Sequence, residues 1–121
     1  MSKSHTQGLK GEDIAVEYLK DAGYKIRHRN WKSGKRELDI VAENKEFIVF
    51  VEVKSRNYDH LMPPVSAVNS EKRRSIIYAA DGYLQKFNIN KESRFDVITI
   101  IFKGQTSEID HIENAFYPTL R

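Results

Sequence analysis

A chain of 121 residues, 40% apolar and 31% charged, can bury one core and lacks the low hydrophobicity of a disordered segment. It contains no cysteine, which excludes a disulfide framework and a thiolate metal site. A net charge of +3 and an isoelectric point of about 9.1 make it mildly basic, which fits a polyanionic partner without demanding one.

No apolar run is long enough to cross a bilayer. Met1 to Gln7 lacks the apolar core of a signal peptide, so the expectation is a cytoplasmic protein with no membrane partner. There is no repeat, low-complexity stretch or dividing linker, so 1–121 reads as a single domain.

The opening residues read as frayed, and a first helix is expected from about Lys10 to Ala22. Ala15, Val16, Leu19 and Ala22 recur at helical spacing, and Gly23 stops the run as a C-terminal cap. Glu12 lies one turn before Val16, at the edge of the inward face, where its charge would also suit a helix N-terminus. Tyr24 to Lys32 reads as a first strand, with Trp31 packing on the core or rim rather than stacking on a base. Ser33 to Arg36 is a turn.

Glu37 to Lys54 reads as a hairpin of two strands about a tight turn at Asn44-Lys45. Phe47 to Val53 is nearly continuous in apolar residues, the pattern of a central strand covered on both faces. Asp39, Glu52 and Lys54 interrupt this apolar hairpin, and charges there are costly unless paired or bound to a metal. With that turn Asp39 faces Phe50 and Glu37 faces Glu52, so Glu37, Asp39, Glu52 and Lys54 share one face. Asp39 and Glu52 become diagonal neighbours, roughly 7–8 Å apart at the backbone.

Ser55 to Pro64 is polar with two prolines and reads as a loop placed to contact substrate. A second helix is expected from about Ser66 or Ser70 to Phe87, with Val65, Val68, Ile76, Ala79, Ala80, Tyr83, Leu84 and Phe87 forming the apolar stripe. Lys72 sits at the open end of that stripe, as a snorkelling surface lysine or a phosphate ligand. Strands at Arg94 to Phe102 and Glu108 to Phe116 close the chain. Asp96, Asp110 and His111 read as edge or turn residues, and the four histidines show no zinc-ligand spacing. The order of elements gives an α/β fold, a mixed sheet with helices packed on it.

Converging carboxylates repel one another, and at least one should have a raised pKa. Mg²⁺ or Mn²⁺ relieves this through oxygen ligands, and a neighbouring lysine can hold a phosphate or polarise a water. A carboxylate pair, a metal and a lysine suit phosphodiester hydrolysis. Lys25, Arg27, His28, Arg29, Lys32, Lys35 and Arg36 form one basic cluster and Lys72, Arg73 and Arg74 another. Both read either as solvated faces or as phosphate contacts.

Asp39 followed by Glu52-Val53-Lys54 resembles the PD-(D/E)xK signature of restriction-endonuclease-like nucleases, with Leu38 in place of the proline. More closely, Gly11-Glu12, Ala15, Gly23-Tyr24, Arg29-Asn30-Trp31, Gly34, Glu37 to Ile40, Phe50 to Arg56, Ile109, His111-Ile112 and Asn114-Ala115-Phe116 are similar to the small bacterial YraN-like proteins, across almost the whole chain. That family shares the fold of archaeal Holliday-junction resolvases.

The resemblance implies a restriction-endonuclease-like domain and a DNA nuclease, with branched or flapped DNA as a candidate substrate. Asp39 and Glu52 would hold Mg²⁺ or Mn²⁺, with Lys54 on the attacking water and Glu12 and Glu37 as further acids. Arg27, Arg29, Lys32, Lys35, Arg36, Arg56 and Lys72 would bind nucleic acid. By analogy with the resolvases, a homodimer would present two sites. The competing functions are a nucleic-acid-binding module that keeps the fold without cutting, and an assembly protein.

Overall fold

The computed structural model describes residues 3–58 and 69–118, with side chains from residue 10 onward. Among these residues two helices and five strands follow in the order α1 (Lys3–Asp21), β1 (Lys25–Ser33), β2 (Arg36–Glu43), β3 (Phe47–Asn57), α2 (Ser70–Lys86), β4 (Glu92–Lys103) and β5 (Thr106–Phe116). The strands form one sheet in sequence order. Neighbours run antiparallel except β3 and β4, which are parallel and are joined through α2, as a parallel pair requires. The result is an α/β protein with a five-stranded mixed sheet between two helices, compatible with a restriction-endonuclease-like fold.

Each face of the sheet has its own core. Ala15, Val16 and Leu19 of α1 pack on Ile40, Ala42, Val49, Val51, Ile98 and Ile100. Ile76, Ala79, Ala80 and Tyr83 of α2 pack on Leu38, Val41, Ile48, Phe50, Phe95 and Val97. The near-continuous apolar run of β3 follows from this double cover, since alternate residues serve opposite cores. Trp31 meets Tyr83 edge-on at 5.1 Å between centroids and so belongs to the α2 core, as expected. No helix among the described residues is long and apolar enough to cross a membrane.

Three boundaries differ from the sequence expectation. First, α1 begins at Lys3, not near Lys10. Glu12 is therefore in mid-helix, and stabilisation by the helix N-terminus does not explain it. Gly23 ends α1 at φ +96°, a left-handed cap suited to glycine, with its N–H donating to the Lys20 carbonyl. Second, β3 continues to Asn57, so the start of the expected loop is strand; the rest of that loop, with Val65 and Val68, lies outside the described residues.

The third difference is the hairpin register. Asn44 Oδ1 accepts from the N–H groups of Glu46 and Phe47, and Asn44 N–H donates to the Phe47 carbonyl. This side-chain turn centres on Lys45-Glu46, one residue later than expected. Ile40 consequently pairs with Val51 and Glu43 with Ile48, a shift of two residues. A two-residue shift preserves the face of every side chain, where a one-residue slip would reverse it.

Candidate active site

The site begins where β2 and β3 part. Their ladder ends at Ile40 and Val51, after which β2 pairs only with β1 and β3 only with β4. One step past the last pair, Asp39 stands opposite Glu52 rather than diagonal to it. The Val53 N–H, released from the ladder, donates to Asp39 Oδ2 at 2.9 Å.

Alternation along β2 also breaks at Asp39. Leu38 lies in the α2 core but Ile40 in the α1 core, although they are two residues apart. The neighbouring strand breaks at the same level, where Asn30 has φ 51° between Arg29, which turns to α1, and Trp31, which turns to α2. The break sets Asp39 between the two faces. Its charge reaches Glu12 on α1 and Glu52 on β3. It also corrects the expectation for Glu37: with Leu38 on the α2 side, alternation turns Glu37 to the α1 side, away from Glu52. Glu37 stands opposite Lys32 and, among the described residues, makes no ion pair or side-chain hydrogen bond with Asp39, Glu52 or Lys54.

Glu52 is the strained member. Its side chain is 5% exposed, with Lys54 Nζ at 3.6 Å and Lys72 Nζ at 3.7 Å from Oε1. Burial pushes its carboxyl up to about 7, and the Asp39 charge and a side-chain hydrogen bond with Asp39 push the same way. The two ammonium groups oppose the rise without overcoming it. Glu12 is raised as well, by burial first and the Asp39 charge second. Its Oε1 is buried with no hydrogen-bond partner among the described residues, and Arg29 Nη2, at 3.6 Å, is too distant to provide one.

Gly11 lets Glu12 approach. A Cβ there would collide with Ser55 Oγ, so α1 lies this close to β3, one residue past Lys54, with any other residue only if the Ser55 hydroxyl turns aside.

The oxygen-only donor set fits a hard divalent cation. As they stand, no three His, Asp or Glu side chains among the described residues converge tightly enough to form a ready cage. The acidic convergence is the Asp39–Glu52 pair, with Glu12 coupled to it through Asp39.

The basic residues divide. Arg29 bridges Asp13 at 2.8 Å beside Glu12, and Lys72 and Lys54 flank Glu52. Arg56 lies two residues beyond Lys54 on β3, with Nη1 donating to the Ser55 carbonyl. Lys32, Lys35 and Arg36 are exposed near the β1–β2 turn, where Arg36 stacks on Tyr78 at 4.1 Å. Arg27 is elsewhere. It bonds Glu43 and the Tyr83 hydroxyl at the β2–β3 turn end of the hairpin, and these bonds hold its pKa above normal.

Sequence reading missed one cluster. Asp96 is neither an edge nor a turn residue; it is fully buried in β4. Arg94 bonds both its oxygens, at 2.9 and 2.8 Å, His111 Nε2 meets Oδ2 at 2.7 Å, and Asn114 N–H donates to Oδ1. Burial alone would raise this carboxyl, but the His111, Arg94 and Asn114 bonds hold its pKa below normal. The Arg94-x-Asp96 spacing, which puts both side chains on one face of a strand, was the available signal.

The family model described as "Uncharacterised protein family UPF0102" matches residues 11–100. The chain is 45% identical over 120 residues to a UPF0102 protein of Phocaeicola vulgatus, covering 99% of both chains. It is 43% identical to one of Parabacteroides distasonis over the full length of both, and 49% identical to one of Geobacter metallireducens over 90% of each.

Proposed function

Because the chain belongs to the uncharacterised protein family UPF0102, a name that specifies no chemistry, the site must supply the reading: we propose a Mg²⁺- or Mn²⁺-dependent nuclease that hydrolyses DNA phosphodiester bonds, selective for branched or flapped structures. One observation carries it. Asp39 stands opposite Glu52 at the fork of the sheet, and the nearly buried Glu52 is flanked by two ammonium groups. Ordinary packing gains nothing from such a pair, which costs stability in the absence of a cation.

Asp39 and Glu52 would hold the ion, with the unpartnered Glu12 Oε1 as a third oxygen and Glu37 further out on the α1 side. When bound, the divalent ion neutralises the carboxylates and the phosphate and lowers the pKa of a water. Lys54, on the same strand face as Glu52, orients the attacking water or steadies the charge that develops on the phosphate. Lys72 does the same from α2. Arg29, Lys32, Lys35, Arg36 and Arg56 take backbone phosphates, which orient the substrate without reading its sequence. A junction cutter of this kind works as a two-fold dimer, a state that sedimentation measures directly.

The test incubates the protein with branched, flapped and linear DNA of matched sequence, and with RNA, in Mg²⁺, Mn²⁺ or EDTA. Cleavage should require metal, favour branched or flapped DNA, and vanish in Asp39→Ala and Lys54→Ala. Cleavage that survives either substitution defeats the assignment. A second reading, a nucleic-acid-binding protein that does not cut, is supported by the exposed Lys32, Lys35 and Arg36 near the β1–β2 turn, which could hold phosphates without any metal. Metal-independent, salt-sensitive DNA binding without cleavage would select it.

A further inference from the structure

A groove of about 390 Å³ opens between the first turns of α2 and the end of β5, on the flank of α2 that does not carry Lys72. Ser70, Arg73, Arg74 and Ile77 line one wall at i, i+3, i+4 and i+7, a single helix face. Phe116 and Tyr117 line the other. Phe116 is a rigid floor, 6% exposed and stacked on Phe95, with the Arg73 guanidinium 5.7 Å from its ring centre. Tyr117 is 66% exposed. Among the described residues the lining has two guanidinium groups and no carboxylate, a charge that favours an anion. Its exposed aromatic ring selects something flat.

Position connects the groove to the site. Lys72 approaches Glu52, while Arg73, the next residue, lines the groove. A chain of phosphates leaving the Asp39–Glu52 fork over the first turn of α2 would therefore meet Lys72 and then Arg73 and Arg74.

We propose that this groove binds an unpaired stretch of the nucleic acid whose scissile phosphate lies at the fork, with phosphates on Arg73 and Arg74 and a base on the Tyr117 ring. The proposal rests on the nuclease reading and deepens it. Bases within a duplex are covered by their neighbours, so only a single-stranded segment can offer a face to Tyr117. The substrate class is then DNA with a single-stranded tail beside the cut. An acidic protein segment could satisfy the arginines but has no use for the ring.

The test is fluorescence anisotropy of the full chain in EDTA, where binding is measured without cleavage. The probes are a labelled oligothymidylate, a blunt duplex and the same duplex with a thymidylate flap. Tyr117→Ala should weaken oligothymidylate and flap binding about 5- to 150-fold, the range for loss of one base–aromatic stack, and leave the blunt duplex unchanged. Tyr117→Phe should bind as the parent does, because a phenyl face suffices. Arg74→Ala should weaken oligothymidylate and flap binding and flatten their salt dependence. Both altered side chains are exposed, and a thermal melt checks that the variants remain folded.

Parent-like binding of oligothymidylate and flap by Tyr117→Ala and Arg74→Ala overturns the groove. So does an equal loss on the blunt duplex, or competition by polyglutamate as strong as by unlabelled oligothymidylate. The two readings fail separately. Asp39-dependent flap cleavage without Tyr117-dependent binding removes only the groove. Tyr117-dependent binding by a protein that cuts nothing removes only the nuclease. If no nucleic acid binds, both fall.

Discussion

Replacing Glu52 by glutamine should stabilise the protein, and increasingly so as pH rises. Glu52 is 5% exposed and its carboxyl is pushed up from 4.5 to about 7, chiefly by burial and then by the Asp39 charge. Between those two values the folded state holds a proton that the unfolded chain has released, so stability falls as pH climbs through the window. At about 1.4 kcal/mol per unit, the whole gap is worth roughly 3 kcal/mol. Glutamine keeps the shape of the protonated acid, can still donate to Asp39, and does not titrate. Glu52→Gln and the parent should therefore be nearly equal at pH 4 and differ by roughly 2–3 kcal/mol at pH 8. Urea unfolding in EDTA, followed by the fluorescence of the single tryptophan, Trp31, measures the difference. Mg²⁺ added at pH 8 should stabilise the parent by about 2.7 kcal/mol at one hundred times its dissociation constant, and the variant far less. A difference that stays flat with pH, or a variant less stable at pH 8, would refute the claim that Glu52 is held at a cost.

Asp96→Ala should cost about 3–5 kcal/mol by urea unfolding, because it leaves the buried Arg94 with only the exposed Glu113 as counter-charge, while metal binding by calorimetry should not change. The pKa of Asp96 is depressed, so its contribution is present at neutral pH and lost as pH falls through the lowered value; the variant should show a blunted acid transition. Gly11→Ala should be absorbed by rotation of the Ser55 hydroxyl and leave DNA cleavage well above the level that the roughly 100-fold loss from displacing Glu12 by about 1 Å would give, and adding Ser55→Ala should bring it back to the parent rate. Asn44→Ala should cost about 1 kcal/mol of stability, because it removes the acceptor that builds the β2–β3 turn, and should leave cleavage intact.

The apolar patterns made the layers legible before any coordinates. The run Phe47 to Val53 has the pattern of a doubly covered strand, and the stripes Ala15-Val16-Leu19 and Ile76-Ala79-Ala80-Tyr83 have the spacing of helix faces, and these are the strand and the two faces found. What failed depended on features with no period. The hairpin register is set by one Asn44 side chain bonding two N–H groups, and a two-residue shift leaves the apolar alternation unchanged. The break at Asp39 is invisible for the same reason: it needs Asn30 in a left-handed conformation on the neighbouring strand, and that is a pairing property. The break is what turns Glu37 from the face of Glu52 and leaves Asp39 between the two helices. The start of α1 was misread because the apolar stripe begins at Ala15, well after the helix itself.

Two buried acids on neighbouring strands show how a functional carboxylate differs from a structural one. Asp96 is the more buried, yet its pKa is lowered, because Arg94, His111 and the Asn114 N–H satisfy both oxygens at bonding distance. Glu52 is raised, by burial first and the Asp39 charge second, because its two cations stand at 3.6 and 3.7 Å, beyond hydrogen-bond reach, and do not offset them. Burial is common to both, so burial cannot be the distinguishing cause; the partners are. Packing could have given Glu52 an arginine, as it gave one to Asp96. Lysines held just out of contact instead leave the carboxylate incompletely satisfied, and a divalent cation there would do for Glu52 what the guanidinium does for Asp96. The proposed chemistry depends on that unfilled demand: a carboxylate already satisfied by the fold has no affinity left to lend to an ion or a substrate.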